Sequence, residues 1–326
     1  MKSRTRNTSA DNDIVVNSVA SNKNKKKVLI EMRKHWQIYL LIIPPLLWYV
    51  IFAYYPMAGL QLAFRTYKVR QGIFGSPWSG LNNFKAVFRD PYFWRSVRRT
   101  LVINFGRLLI TFPFPIILAL LFNELRLRRS KRLMQTIFTF PYFLSWVVIA
   151  AIMQNLLSVD GLINTLIQQA GRNPINFLGS ETFFQPMLYI TDIWKNAGYS
   201  SIIYLSAISG IDQDQYEAAE VDGANRWQRM VHITLPNITP TISIMFILAT
   251  GNLMSNGFDQ IFNLSNAATK NVAEILDMYI YRITFEASAD FGFSTAVSLF
   301  RSVINLILLL VANKVSKLLG SNGLFG

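Results

Sequence analysis

No cysteine occurs in the 326 residues, which excludes disulfides, thiolate metal sites and a catalytic thiol. The two histidines, His35 and His232, are too few and too far apart in the chain to suggest a metal cluster. Charge is sparse at 15% of residues, and acidic charge is sparser still, with 18 Asp and Glu against 32 Lys and Arg. Nucleotide and catalytic signatures are missing as well. There is no G-x-x-x-x-G-K-[ST], so the chain does not hold a nucleotide by a P-loop, and neither a Ser/His/Asp order nor H-E-x-x-H appears. Energy for any work must come in trans, or the chain is a passive or ion-coupled carrier.

What is abundant is apolar sequence, 52% of the chain, too much for an ordinary soluble domain of this size. Six stretches match the roughly 20 helical residues that cross a bilayer core. They fall near 36–57, 100–122, 133–156, 186–209, 240–262 and 295–313, and predict an all-α polytopic membrane protein with six transmembrane helices. Pro44-Pro45 interrupts the first and Pro113 and Pro115 the second, as in a packed bundle whose neighbours satisfy the freed carbonyls. The net charge of +14 then reads as positive charge at the cytoplasmic membrane face rather than as a nucleic-acid surface.

Residues 1–35 form a polar tail with a basic cluster at Lys23, Lys25, Lys26, Lys27, Arg33 and Lys34, expected to be partly disordered. It is too long and polar for a cleaved leader, so the first span is expected to remain. Basic residues at Arg126, Arg128, Arg129, Lys131 and Arg132, with the tail, place both termini inside, at a bacterial inner membrane. The segment 83–99 runs against that bias. It mixes Phe84, Phe88, Tyr92, Phe93 and Trp94 with basic residues, and is expected to lie amphipathically at the interface. Residues 36–320 make up the membrane domain, within which 210–239 falls on the cytoplasmic side.

That segment is polar and irregular, so it needs water or a partner around it. Asp212 and Asp214 suit a helix N-terminus ahead of Tyr216-Glu217-Ala218-Ala219-Glu220. Ala218 and Ala219 favour helix and leave room for a close surface. Gly223 permits the turn that ends the helix. Arg226, Trp227 and Arg229 begin a second helical stretch, and Ile233-Thr234-Leu235-Pro236 leads into the fifth span.

The spacing from Glu217-Ala218-Ala219 through Gly223 to Pro236 resembles the EAA loop of the permease subunits of binding-protein-dependent ABC importers. Met230 departs from the Phe more usual there. Gly80-Leu81-Asn82-Asn83-Phe84, Pro141-Tyr142-Phe143-Leu144-Ser145-Trp146 and Ala273-Glu274-Ile275-Leu276-Asp277 are similar to LplB-type polysaccharide permeases, within the maltose-permease-like class. The resemblance covers roughly 36–320. It implies a second homologous permease, two ATPase subunits holding ATP and Mg, and an extracytoplasmic solute-binding protein, with no cofactor on this chain. It also implies that Tyr216, Glu217, Ala218, Ala219, Asp222, Gly223, Ala224, Leu235 and Pro236 couple the ATPase to transport.

Ionisable groups inside spans are costly and face partners or aqueous paths. Arg107, Lys195 and Arg301 are three of them. Polar donors beside aromatics suit sugars, and by the resemblance the fourth span contributes Asp192, Trp194, Lys195, Asn196 and Tyr199 to a saccharide pathway. The fifth offers Asn252, Asn256, Phe258 and Asp259. Helix–helix packing is the alternative role for each. Lys195, Arg107 and the basic outer loop suit an acidic oligosaccharide such as a uronate. The rival classes are an ion-coupled secondary transporter, for which Asp192 is the candidate carboxylate, and a polytopic membrane enzyme.

Overall fold

A computed structural model describes residues 34–125, 127–286, 290–318, 320 and 323–324. The basic tail expected over 1–35 therefore lies almost wholly outside the described residues, as does Arg126. The chain divides into two units, 1–61 and 62–326.

In the first unit, α1 (Trp36–Tyr49) runs through Pro44 and Pro45 without a break. A π-turn over Val50–Tyr54 and a 3-10 helix from Tyr55 follow it. Pro56 supplies no N–H, and the Tyr55 N–H reaches back to Val50 O, so the ladder shifts register ahead of the proline. No side chain of α1 is buried.

The second unit is helical throughout, without strands among the described residues apart from an isolated Arg65–Trp78 bridge. α2 (Asn82–Arg89) leads to α3 (Pro91–Ile110), which Asp90 caps by accepting from Tyr92 N at 2.8 Å. The segment expected to lie amphipathically at the interface packs part of its apolar face inward, while Phe88, Tyr92 and Trp94 stay exposed. Val87 and Phe93 are buried, and Phe88, Phe93 and Trp94 cluster with Phe300. α4 (Pro113–Glu124) starts after a turn at Thr111-Phe112, where both N–H groups converge on Arg107 O. Pro113 sits at its first turn, where the lost donor costs nothing.

The expected third span, 133–156, is not one helix. α5 (Arg128–Thr139) gives way to a 3-10 turn at Phe140–Phe143 and an extended Leu144, before α6 (Trp146–Leu157). Pro141 removes a ladder donor, and Ser145 caps α6 through Val148 N at 3.3 Å. α7 (Leu162–Gln169) follows a four-residue turn. α8 (Glu181–Ser209) is the central helix. Twelve of its residues are buried, and it packs on α3, α4 and α5.

After α8 comes a helical pair. α9 (Gln213–Val221) is followed by α10 (Arg226–Arg229), a π-turn at Met230–Thr234, and α11 (Leu235–Gly251). The expected fifth span, 240–262, is also broken. Residues 252–257 leave the helix, and α12 (Phe258–Leu264) starts anew beyond Gly257. α13 (Leu276–Tyr281) and α14 (Phe291–Leu318) complete the unit, with α14 against α11 and α2.

Five segments are long and apolar enough to cross a membrane: Trp36–Phe64, Pro91–Glu124, Trp146–Gln169, Arg226–Gly251 and Phe291–Leu318. Of the six expected, the fourth misses that measure because α8 is too polar. At 29 residues it is about 43 Å long, enough to span. Where α8 packs on its neighbours it has no need of an all-apolar surface, because they satisfy its buried polar groups, as the carbonyls of Tyr142 and Leu144 do for Lys195.

Candidate functional site

A cavity of about 560 Å³ opens between α3, α8 and α11. Asn104, Arg107, Asp192, Asn196, Asn252 and Asn256 line it, together with apolar groups and Tyr204. Four of the nine residues expected in a substrate pathway, Asp192, Asn196, Asn252 and Asn256, thus meet around one space. On α8, Asp192 and Asn196 are one turn apart on one face, and the Asn196 amide donates to Asp192 Oδ1 at 2.7 Å.

The other five do not line it. Lys195 and Tyr199 occupy a different face of α8, toward the broken third span. The Lys195 ammonium donates to Tyr142 O at 2.7 Å and also to Leu144 O, with the rings of Tyr142 and Trp146 each 5.5 Å away. These are carbonyls the 3-10 break sets free, and Lys195 closes the break. Tyr199 stacks on Tyr142, with centroids 3.8 Å apart and planes within 5°. Trp194 is exposed away from the cavity. Phe258 stacks on Phe262 beside Tyr281, and Asp259 is exposed at the start of α12.

The turn at 252–257 brings the asparagines to the cavity, and a polar set not singled out in the sequence holds it. The Asn104 amide donates to Leu253 O at 2.7 Å and to Asn256 O at 3.2 Å. Asn305 of α14 accepts from Met254 N at 2.9 Å and donates to Ser255 Oγ at 2.7 Å. Gln260 donates to Leu188 O and Thr191 Oγ1, both at 2.8 Å, and accepts from Arg107. Gly257 takes φ +99°, and a Cβ there would strike the Arg107 guanidinium. The available signal was amide side chains inside apolar spans. Of the other span cations, Arg301 pairs with Asp277.

The 210–239 segment is built as a braced, exposed pair of short helices. Asp212 caps α9 through Asp214 N at 3.1 Å. Gly223, at φ +79°, ends it: Ala224 N bonds Ala219 O at 2.8 Å, and Gly223 N bonds Glu220 O at 3.1 Å. That pair of bonds is a Schellman motif, which needs a left-handed residue at the turn. Asn225 and Gln228 form a reciprocal capping box on α10. The π-turn lies just before Pro236, with Leu235 N reaching Met230 O.

Cross-links tie α9 to α10, through Glu220 and Arg229 at 2.7 Å, and to the base of α11, through Tyr216 and Thr234 and through Gln215 and Asn237 at 3.0 Å. Glu217, Ala218, Asp222 and Gly223 remain exposed, while Ala219 and Ala224 are half-buried. Val221 and Trp227 are 88% and 69% exposed. Among the described residues, no group of three or more His, Asp or Glu could hold a metal.

Residues 111–319 match the family model described as "Binding-protein-dependent transport system inner membrane component". The polygalacturonan/rhamnogalacturonan transport system permease protein YteP of Bacillus subtilis (strain 168) is 41% identical over 312 residues, 95% of this chain and 97% of that one. Protein LplB of the same organism is 42% identical over 294 residues, 90% and 92% of the two chains. Among solved structures, a chain of a bacterial alginate ABC transporter in complex with alginate pentasaccharide-bound periplasmic protein superposes with a TM-score of 0.81 at 34% identity. The match covers 90% of this chain and 98% of that one. The chain belongs to the family of binding-protein-dependent transport system inner membrane components.

Proposed function

We propose that this chain is the permease subunit of an ATP-driven importer that moves a saccharide inward by alternating access. The single observation that carries the coupling half of this reading is the exposed, doubly capped helix pair at 213–229, tied to the start of α11 by the bonds of Tyr216 to Thr234 and of Gln215 to Asn237. A displacement applied to α9 is passed to α11, and so to the turn that presents Asn252 and Asn256 to the cavity. Tyr216, Glu217, Ala218, Ala219, Asp222, Gly223, Ala224, Leu235 and Pro236 form the coupling surface and its root.

The assembly in this reading has a second, homologous permease, two ATPase subunits that hold ATP and Mg, and an extracytoplasmic solute-binding protein. Both termini and the 210–239 segment lie on the cytoplasmic side. The printed names of the relatives, a polygalacturonan/rhamnogalacturonan permease and an alginate transporter with a bound periplasmic protein, support a saccharide cargo. So does the cavity, whose amides and carboxylate offer both donors and acceptors to hydroxyls. Substrate and nucleotide shift the equilibrium only through their differential affinity for its two states.

Purification from membranes tests the reading. The chain should bring down a separate ATPase, and saccharide uptake into vesicles should require ATP and the solute-binding protein. Uptake that follows an ion gradient with no ATPase present would overturn it.

A further inference from the structure

We propose that a groove between α5 and α8 binds an anionic phospholipid, with the lipid phosphate on Lys131. The site depends on the chain's spanning a membrane and not on its cargo.

The groove holds about 540 Å³ and shares no lining residue with the cavity above. Lys195 reaches Tyr142 and Gly198 meets Phe138, so α5 and α8 run antiparallel along it. Its polar ends therefore coincide. Lys131 lies in the first turn of α5, and Ser209 is the last residue of α8. Phe140, Phe143 and Ile202 line the other end. Along α5, Lys131 and Thr139 are separated by about 12 Å at the helical rise. A charge where the helices leave the membrane, with an apolar cleft beneath it, follows the order of parts in a phospholipid.

The charge has no partner of its own. Arg128, Arg129, Lys131 and Arg132 form no ion pair among the described residues, and no carboxylate lines the groove. Of the four, Lys131 is the half-buried one that lines the groove, while the three arginines are exposed. A basic pocket between spans at a membrane face suits an anionic headgroup.

Donors follow at the depth of the lipid esters. The side chains of Gln135, Thr139 and Ser206 line the groove and make no hydrogen bond among the described residues. Ser209, by contrast, donates to Leu205 O at 2.8 Å. Unpaired donors are costly at membrane depth. The phosphate and ester oxygens of a phospholipid accept from them, whereas an apolar helix of a second permease has its carbonyls already bonded. Phe140 and Phe143, 63% and 72% exposed, belong to the 3-10 turn, so an acyl chain against them covers the break in the third span.

The test uses the complete importer in nanodiscs of equal phosphatidylglycerol and phosphatidylcholine. The importer is released into detergent, and native mass spectrometry identifies the lipid it retains. The wild type should retain phosphatidylglycerol in preference. Lys131→Gln should lower the ratio of the two lipids about fivefold, the scale of one basic residue near an anionic surface. Lys131→Arg should hold it within about twofold, because the charge is kept. Arg132→Gln removes the same charge from an exposed position of α5 and should also stay within about twofold, since water and salt screen it. Ser206→Phe fills the groove and should reduce retained lipid of both kinds.

Equal losses in Lys131→Gln and Arg132→Gln would reduce the cluster to diffuse surface charge and overturn the site. So would equal retention of the two lipids by the wild type, or retention unchanged in both Lys131→Gln and Ser206→Phe. Loss of the second permease from the complex in Ser206→Phe, with the lipid ratio of Lys131→Gln unaltered, would assign the groove to that subunit instead.

Discussion

The Tyr216 hydroxyl lies 2.9 Å from Thr234 Oγ1, joining the exposed helix α9 to the foot of α11 across eighteen residues of chain. Thr234 is buried and Tyr216 half-buried, so water competes poorly for this bond. Tyr216→Phe keeps the ring and deletes the bond, at about 1 kcal/mol. The expected result is a looser joint: ATPase activity persists while saccharide moved per ATP falls. An unchanged transport stoichiometry would show that motion reaches α11 by another route.

Gly223 holds the turn between α9 and α10 at φ +79°. Alanine there should cost about 1 kcal/mol, the penalty of a left-handed conformation for a residue with Cβ. Gly223→Pro is more severe, because proline cannot take positive φ and removes the N–H that bonds Glu220 O. The spans should still insert, while ATPase association and uptake are lost. Normal co-purification of the ATPase with this variant contradicts the docking role.

Lys195 braces the break between α5 and α6. Lys195→Met leaves the carbonyls of Tyr142 and Leu144 without their donor, at about 1–3 kcal/mol for groups kept from water. Thermal unfolding in detergent should shift down by several degrees. Uptake of acidic and neutral saccharides should fall together. A loss confined to acidic saccharides would return Lys195 to the substrate path.

Gly198 marks the closest approach of α8 to the end of α5: a Cβ there would collide with the Phe138 carbonyl. Backbone cannot swing aside as a side chain can, so Gly198→Ala should destabilise by about 1–3 kcal/mol. Gly210→Ala is the control, since its nearest neighbour would be an ordinary 3.5 Å from the new Cβ. Comparable unfolding temperatures for the two variants would mean that α8 and α5 separate freely.

Much of this was legible in the chain because the signal was local. The apolar runs announced helices, and Gly223 announced a left-handed turn that needs no distant partner. Asp192 and Asn196 share a face by helical period alone. The breaks in the third and fifth spans were less legible. Pro141 and Gly257 punctuate them, but a proline or glycine within an apolar run is tolerated in many helices. Lys195 shows the difficulty: as sequence it is a charge within a span, suited to a ligand. In the fold its ammonium lands on carbonyls more than fifty residues earlier.

The sequence by itself determined the helical, apolar character of the chain and the turn at Gly223, because backbone hydrogen bonding, hydropathy and turn chemistry act over a few residues. The tertiary structure decided which polar groups are spent on packing and which are left for a ligand. Asn104 and Gln260 bond groups about 150 and 70 residues away, and no neighbour-by-neighbour rule pairs them. The fold likewise separates Lys195, whose ammonium lands on the broken backbone, from Arg107, which lines the cavity and bonds Gln260.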